Sequence, residues 1–205
     1  MRISMKAVAL VTAAMAVTTV SAAGCSSNSK SPTASSTSAT AAATSHSSTA
    51  SSAQAQSADY TRLLIQASDI QTPMAFTAGP VTPNPNGQAG VETTFSNDDK
   101  TRQIHDTILV LGDPAAAASA LDAAKAKLAD SVQGTPGPAA VGTGGTTVSG
   151  NSPDGSKGVM MVLFTEGKAF ATLNFVGPPD MFPPPDFVTE LGQKQDTAIK
   201  NGLSG

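Results

Sequence analysis

His105 and Asp106 are adjacent residues that carry the two groups of an acid–base pair, an imidazole and a carboxylate. Such a pair transfers protons when the two side chains reach one another. The stretch that contains them, QIHDTILVL, is rich in Ile, Val and Leu, which predicts a buried strand. Because successive side chains of a strand point to opposite faces, we expect no dyad. His105 should be a solvent-facing or edge residue, and Asp106, on the face of Ile104 and Ile108, should be a buried, hydrogen-bonded carboxylate.

Other catalytic patterns are missing from the sequence. It contains no Walker sequence, no Gly-x-Ser-x-Gly elbow and no His-Glu-x-x-His motif. The stretch GTGGTTVSG, with Gly142, Gly144 and Gly145, lacks the third glycine of a dinucleotide fingerprint and does not open a helix. We therefore predict a protein that is not an enzyme and has no catalytic residues, metal ligands or cofactor. An envelope hydrolase that combines His105 with a distant serine is the alternative.

Two methionine-containing stretches are the candidates for a binding surface. Met160 and Met161 stand in a predicted strand, and Met181 and Phe182 lie in the proline-rich stretch GPPDMFPPPD. Methionine adapts to irregular apolar ligands, and prolines hold an exposed Phe at little entropic cost. Neighbouring strand residues alternate between faces, so at least one of Met160 and Met161 should belong to the core. Met181 and Phe182 have an alternative role as cover for the edge of the sheet.

Cys25 is the single cysteine of the chain, which excludes an intramolecular disulfide and a Cys-x-x-Cys metal site. Arg2 and Lys6 precede an apolar stretch over residues 7–20, and small residues then lead to Cys25. This arrangement is typical of an export signal, because the apolar stretch is shorter than the ~20 residues of a membrane-spanning helix.

The residues Ala22, Ala23, Gly24 and Cys25 resemble the lipobox of bacterial lipoproteins, in which Leu or Val, a small residue, and Gly or Ala precede the cysteine. Ala22 departs from that pattern because it replaces a larger aliphatic residue. The resemblance implies cleavage before Cys25, a diacylglycerol on its thiol, and acyl chains that hold the protein on the outer face of the cell membrane. The alternatives are a secretory signal cleaved after Ala23 or Gly24 and an uncleaved N-terminal span.

Three regions follow from the composition: a signal peptide over residues 1–24, a tether over 25–57 and a domain over 58–205. More than half of residues 26–57 are Ser or Thr, with almost no charge, so this segment cannot bury enough apolar surface to fold. It also suits O-glycosylation. Charged residues make up 13% of the chain and the net charge is −3, and there is no cluster of Lys and Arg. Nucleic acid is therefore not an expected partner.

Periodicity predicts the elements of the domain. DYTRLLIQASDI has apolar residues at helical spacing, and VETTFS and QIHDTILVL are predicted strands. In GDPAAAASALDAAKAKLADSV, Asp113 and Pro114 predict a helix start. TTVSGN is a short strand, KGVMMVLFTEGKAFATLNFVG is two strands joined at Glu166 and Gly167, and Phe187 begins the apolar face of a last helix. Hairpin connections predict an α+β fold, a single antiparallel sheet with the helices packed on one face.

Lipobox, tether and small domain together are similar to the small cell-envelope lipoproteins of mycobacteria and other actinobacteria. The stretch YTRLLIQASDI resembles the opening of extracellular sensor-type domains from the same envelopes, although those domains carry disulfides. The order of elements is also similar to the Mog1/PsbP-like fold. These resemblances imply no catalytic residues.

The function expected from the sequence is that of a lipid-anchored binding or accessory module. Its partners would be the membrane, through the anchor, and an apolar small molecule or an envelope protein. The alternatives are the hydrolase that uses His105 and a structural surface lipoprotein without a ligand. A closed apolar pocket would favour the small molecule, and an exposed apolar patch would favour a protein partner.

Overall fold

A computed structural model describes residues 59–204 of the 205-residue chain. The predictions for the signal peptide, for Ala22, Ala23, Gly24 and Cys25 and for the tether lie outside these residues. The boundaries of the three predicted regions remain predictions. The elements are strands β1 (Phe76–Ala78), β2 (Thr82–Pro83), β3 (Gly90–Asn97), β4 (Gln103–Val110), β5 (Gly137–Pro138), β6 (Thr143–Asn151), β7 (Gly158–Glu166) and β8 (Ala169–Gly177), and helices α1 (Pro114–Lys125) and α2 (Pro185–Leu203).

The eight strands form one sheet in the order β1-β3-β4-β8-β7-β6-β5, with β2 paired to β3. Every pair of neighbouring strands is antiparallel. The predicted α+β class and single antiparallel sheet are therefore confirmed. The hairpin at the end of β7 is also as predicted, since Gly167 supplies the positive φ of 54° that its turn requires.

The two helices lie on opposite faces of the sheet, so the prediction that both pack on one face is wrong. On one face, Leu191 and Ile199 of α2 join a core that includes Phe164 and Leu173. On the other face, Leu121 of α1 joins a second core, whose other members include Leu163 and Phe170.

Both faces of β7 need cover because they are apolar. Residues 158–165 of β7 are buried except for Met161, which is half-buried. Strands that are buried on both sides have near-continuous apolar sequences, and VMMVLF is such a run. Two layers of helix, one on each face, remove this surface from water.

The segment before β1 is not the helix that its spacing predicted. It forms only two short 3-10 turns, Thr61–Leu63 and Ala67–Asp69. Buried Gln195 of α2 binds backbone groups of this segment that a helix would use for its own hydrogen bonds. Its Nε2 donates to Leu63 O at 2.6 Å, and its Oε1 accepts from Ile65 N at 3.2 Å. Leu63 is fully buried, and a Cβ at Gly202 would collide with its Cδ2. Tertiary contacts with α2 therefore override the helical periodicity.

Helix α1 begins as the sequence predicted. Asp113 Oδ1 accepts a hydrogen bond of 2.8 Å from Ala116 N, and Pro114 occupies the first helical position, where no donor is needed. Ala117 and Leu121 are its buried residues. Among residues 59–204, no helix is both long enough and apolar enough to cross a membrane.

Candidate functional site

A groove of about 370 Å³ opens at one end of the sheet. Five parts of the chain form it: the segment before β1, the first residue of β1, the start of β4 with the residue before it, the end of β8 with the loop that follows, and the first turn of α2. The residues that line the groove are Gln71, Thr72, Pro73, Met74, Phe76, Arg102, Gln103, Ile104, Phe175, Val176, Gly177, Met181, Phe182, Pro183, Pro184 and Phe187.

The floor of the groove is apolar and belongs to the core on the α2 face. Ile104 and Phe175 are buried cross-strand neighbours on β4 and β8. Phe187 of α2 packs edge-on against Phe175, with ring centroids 6.1 Å apart and an interplanar angle of 74°. Phe76 of β1 packs against the same core. The groove is therefore an open extension of the hydrophobic core.

The rim of the groove carries exposed apolar side chains. Met74, Met181 and Phe182 are 41%, 51% and 40% exposed. Within residues 59–204 only one other large apolar side chain is comparably exposed, Val81 at 41%, and it does not line the groove. Clustered apolar exposure is typical of an interaction site, whereas single exposed apolar residues are ordinary.

The loop after β8 holds Met181 and Phe182 in place. Asn151 Nδ2 donates to Asp180 Oδ1 at 2.8 Å, and Asp180 N donates to Asn151 Oδ1 at 3.0 Å. Gly158 N donates to Pro178 O at 3.2 Å, and a Cβ on Gly158 would stand 2.6 Å from that oxygen. The rim is therefore anchored to β6 and β7 and presents its side chains in a fixed arrangement.

Arg102 is the single charged residue among those that line the groove. Its backbone N–H donates to Asn97 Oδ1 at 2.9 Å, which fixes the start of β4. Its Nη2 lies 3.9 Å from Met181 Sδ. None of the ion pairs among residues 59–204 includes Arg102. The guanidinium of half-buried Arg102, with a thioether as its neighbour, thus borders the apolar surface.

The four residues predicted as a binding surface do not lie together. Met181 and Phe182 line the groove. Met160 is buried in the core on the α2 face, opposite Phe175 in the register of β7 and β8. Met161 packs in the core on the α1 face. The expectation that at least one of the two adjacent methionines belongs to the core is confirmed by the burial of Met160. Whether Met181 and Phe182 bind a ligand remains a prediction.

Sequence reasoning missed Met74, Phe76, Arg102 and Phe187 as groove residues. They come from segments that are distant in sequence, and the fold alone brings them together. The sequence feature that could have indicated Met74 is QTPM, in which an apolar side chain stands next to a proline in a loop. That pattern resembles MFPPP, which was identified.

His105 lies on the opposite face of β4 from Asp106, so the predicted absence of a dyad is confirmed. It is half-buried on an interior strand, not at an edge, and its Nδ1 lies 3.0 Å from Thr94 Oγ1. Burial lowers its pKa, and nearby Glu92 offsets part of that effect. The hydrogen bond with Thr94 orients the imidazole within the sheet surface.

Asp106 is fully buried on the α2 face, as predicted, but the predicted hydrogen bond is wrong. Neither carboxyl oxygen has a hydrogen-bond partner within residues 59–204. The neighbouring donors are engaged elsewhere, since Thr93 Oγ1 donates to Gly79 O and Ile65 N donates to Gln195 Oε1. Burial raises the pKa of Asp106 to about 8, and the nearby Ile65 N–H lowers it only in part. The carboxyl group is therefore neutral at pH 7.

No cluster of three or more His, Cys, Asp or Glu side chains that could hold a metal ion occurs in residues 59–204. The expectation of no metal and no cofactor stays a prediction for the whole chain.

The fold is similar to that of the extracellular domain of PknH from Mycobacterium tuberculosis. The TM-score is 0.50 at 10% sequence identity, over 71% of this chain and 95% of that chain. At this identity the likeness is one of fold alone, and it agrees with the predicted resemblance to extracellular domains of mycobacterial envelopes. The lipoprotein and Mog1/PsbP-like resemblances remain predictions. No family model matches the chain, and no curated protein matches it.

Proposed function

We propose that this chain is an extracytoplasmic, non-catalytic binding module whose groove takes an apolar small molecule. The observation that carries the proposal is the convergence of Met74, Met181 and Phe182 on one groove with an aromatic floor. The volume of about 370 Å³ lies within the range of small-molecule sites. The fold likeness to an extracellular domain supports the extracytoplasmic part.

Binding would be driven by the removal of the apolar side chains of the rim from water. Each Å² of apolar surface that a ligand covers contributes about 25 cal/mol. The anchored loop loses little conformational entropy on binding because four prolines and two Asn151–Asp180 bonds already restrict it. The methionines on the rim can adapt to the shape of the bound molecule.

We also propose that Cys25 carries the lipid that holds the protein on the outer face of the membrane. The support is the lipobox-like order of Ala22, Ala23, Gly24 and Cys25 together with the tether that follows. In that arrangement the tether sets the distance between groove and membrane surface.

An envelope protein is the second candidate for the occupant. The same exposed rim favours it, because apolar side chains at a groove can also receive a partner's side chain. We do not propose the hydrolase, because the hydrogen bond of His105 goes to Thr94 and not to a carboxylate or a serine.

The test is binding of N-phenyl-1-naphthylamine, an uncharged apolar fluorophore, to the full chain carrying Cys25→Ser. We expect saturable fluorescence that weakens by about tenfold in affinity when Met181 and Phe182 are both changed to Ser. Val81→Ser is the matched control, because Val81 is equally exposed but outside the groove. Equal binding by all three proteins would contradict a site in the groove.

A further inference from the structure

We propose that the occupant of the groove is a single-chain amphiphile with an anionic head group, and that Arg102 binds the head. This inference rests on the proposed function, since it assigns a chemical class to the ligand of the same groove. The apolar floor accommodates the hydrocarbon chain of the ligand, and the guanidinium at the border of the floor pairs with the negative charge of the head group.

Arg102 is suited to this role because its charge has no ion-pair partner among residues 59–204. It is the one charged residue of the lining, and no carboxylate oxygen of residues 59–204 lies within 4.0 Å of its guanidinium. Its side-chain neighbour is Met181 Sδ, at 3.9 Å from Nη2, and a thioether is a weak acceptor. Most of the five guanidinium donors are therefore available to a ligand, in a fork that matches carboxylate and phosphate oxygens.

Two carboxylates near Arg102, that of Asp99 in the sequence and that of Asp180 in the groove loop, are engaged elsewhere. Asp99 Oδ1 accepts from the backbone N–H and the hydroxyl of Thr101, at 3.0 and 2.6 Å. Asp180 Oδ1 accepts a hydrogen bond from Nδ2 of Asn151, the last residue of β6. The positive charge at the groove is thus not neutralised by the protein, which favours an anionic ligand over a neutral or cationic one.

The position of Arg102 also connects the charge with the apolar floor. Arg102 lies directly before β4 and two residues before Ile104, and both residues line the groove. Gly177, on the neighbouring strand, leaves space beside the guanidinium, since a Cβ there would lie 3.7 Å from Nη1. A head group at Arg102 therefore places its chain against Ile104 and Phe175.

The experiment compares two ligands of equal chain length, laurate and lauryl alcohol, by isothermal titration calorimetry. The protein is the full chain carrying Cys25→Ser, with and without Arg102→Gln, Arg102→Lys and the control Lys168→Gln. Lys168 is an exposed cation at the opposite end of β8 from Gly177. Dodecyl phosphate serves as a third ligand, to compare a phosphate head with a carboxylate.

We expect laurate to bind about tenfold more tightly than lauryl alcohol, as one charge-assisted contact allows. Arg102→Gln should abolish that difference, Arg102→Lys should retain part of it, and Lys168→Gln should retain all of it. If dodecyl phosphate binds more tightly than laurate and Arg102→Gln removes this difference, the result supports the same site with a phosphate as the preferred head group.

Two outcomes would overturn the inference, and they differ in what they mean for the proposed function. Equal affinities for laurate and the alcohol in the unchanged protein would refute the anionic head group while leaving an apolar site. Binding of neither ligand would refute both. A thermal melt of Arg102→Gln checks the fold, which should persist because the bond to Asn97 uses the backbone N–H.

Discussion

The carboxyl group of Asp106 lies inside the apolar layer between the sheet and α2 and has no hydrogen-bond partner among the residues that the structure describes. Thr93 of β3 and Leu173 of β8 are its cross-strand neighbours, and no cation is among the causes that shift its pKa. Burial favours the neutral acid, so the folded protein keeps this proton up to a pH of about 8. The unfolded chain releases it near the ordinary pKa of 3.8. Unfolding therefore releases a proton between these two pH values.

The free energy of unfolding should consequently fall as the pH rises from about 4 towards 8. Each pH unit in this window costs at most about 1.4 kcal/mol. Asp106→Asn removes the ionisation, so the variant should match the unchanged protein near pH 4.5 and exceed its stability by a few kcal/mol at pH 7.5. Urea denaturation at the two pH values measures the difference.

Asp99→Asn is the control for this prediction. Asp99 is exposed, and its pKa is lowered by its hydrogen bonds with Thr101. Asp99→Asn should therefore leave the decrease in the free energy of unfolding between pH 4.5 and 7.5 as it is in the unchanged protein. Parallel pH profiles for the unchanged protein and Asp106→Asn would show that Asp106 ionises normally in the folded state.

The loop between β8 and α2 is the element on which the groove depends. Its close approach to β7 requires Gly158, because any side chain there would meet backbone atoms of Pro178 and Met181. Asp180 adopts a positive φ of 60°, which its two bonds with Asn151 hold in place. Met181 and Phe182 are thus positioned by hydrogen bonds of the loop's neighbouring residues, Pro178 and Asp180, with β7 and β6.

Gly158→Ala should displace this loop, since the new Cβ would stand 2.6 Å from Pro178 O. We expect a loss of about 1–3 kcal/mol in the free energy of unfolding, as for other overpacked sites. The affinity for N-phenyl-1-naphthylamine should fall as well, because Met181 and Phe182 move with the loop. Denaturation and fluorescence titration measure the two effects.

Gly112→Ala is the matched substitution for Gly158→Ala. Gly112 has no heavy atom within 4 Å of its Cβ position and no positive φ, so neither stability nor affinity should fall. If Gly158→Ala binds the fluorophore as well as Gly112→Ala does, the loop does not form the rim of the site.

At the scale of the molecule, the local parts of the fold were predictable and the long-range parts were not. Asp113 and Pro114 specify the start of α1, and Gly167 specifies a hairpin, through interactions within a few residues. Gln195 overrides the helical spacing around Leu63 from more than a hundred residues away, and no local pattern reveals it. For the same reason only part of the groove was predictable. Met181 and Phe182 can be identified in the sequence, whereas Arg102 lies near them only because the strands of the sheet bring distant segments together.

The proposed lipid anchor concerns the whole molecule because it would determine where the groove operates. In an actinobacterial host, the unchanged chain should enter the membrane fraction and incorporate labelled palmitate. Cys25→Ser should remove the label and shift the protein to the culture fluid, since no acyl chain then holds it. Ser26→Ala, one residue away, should behave like the unchanged chain. Persistent labelling of Cys25→Ser would place the acyl chain elsewhere.

The most direct test of the binding function is native mass spectrometry of the full chain carrying Cys25→Ser, purified from the same host. We predict an additional mass that denaturation releases, that Met181→Ser with Phe182→Ser removes, and that Val81→Ser retains. An adduct that persists in the groove variant would contradict the account. So would a bare polypeptide mass in a protein that acquires neither laurate nor lauryl alcohol when these are added.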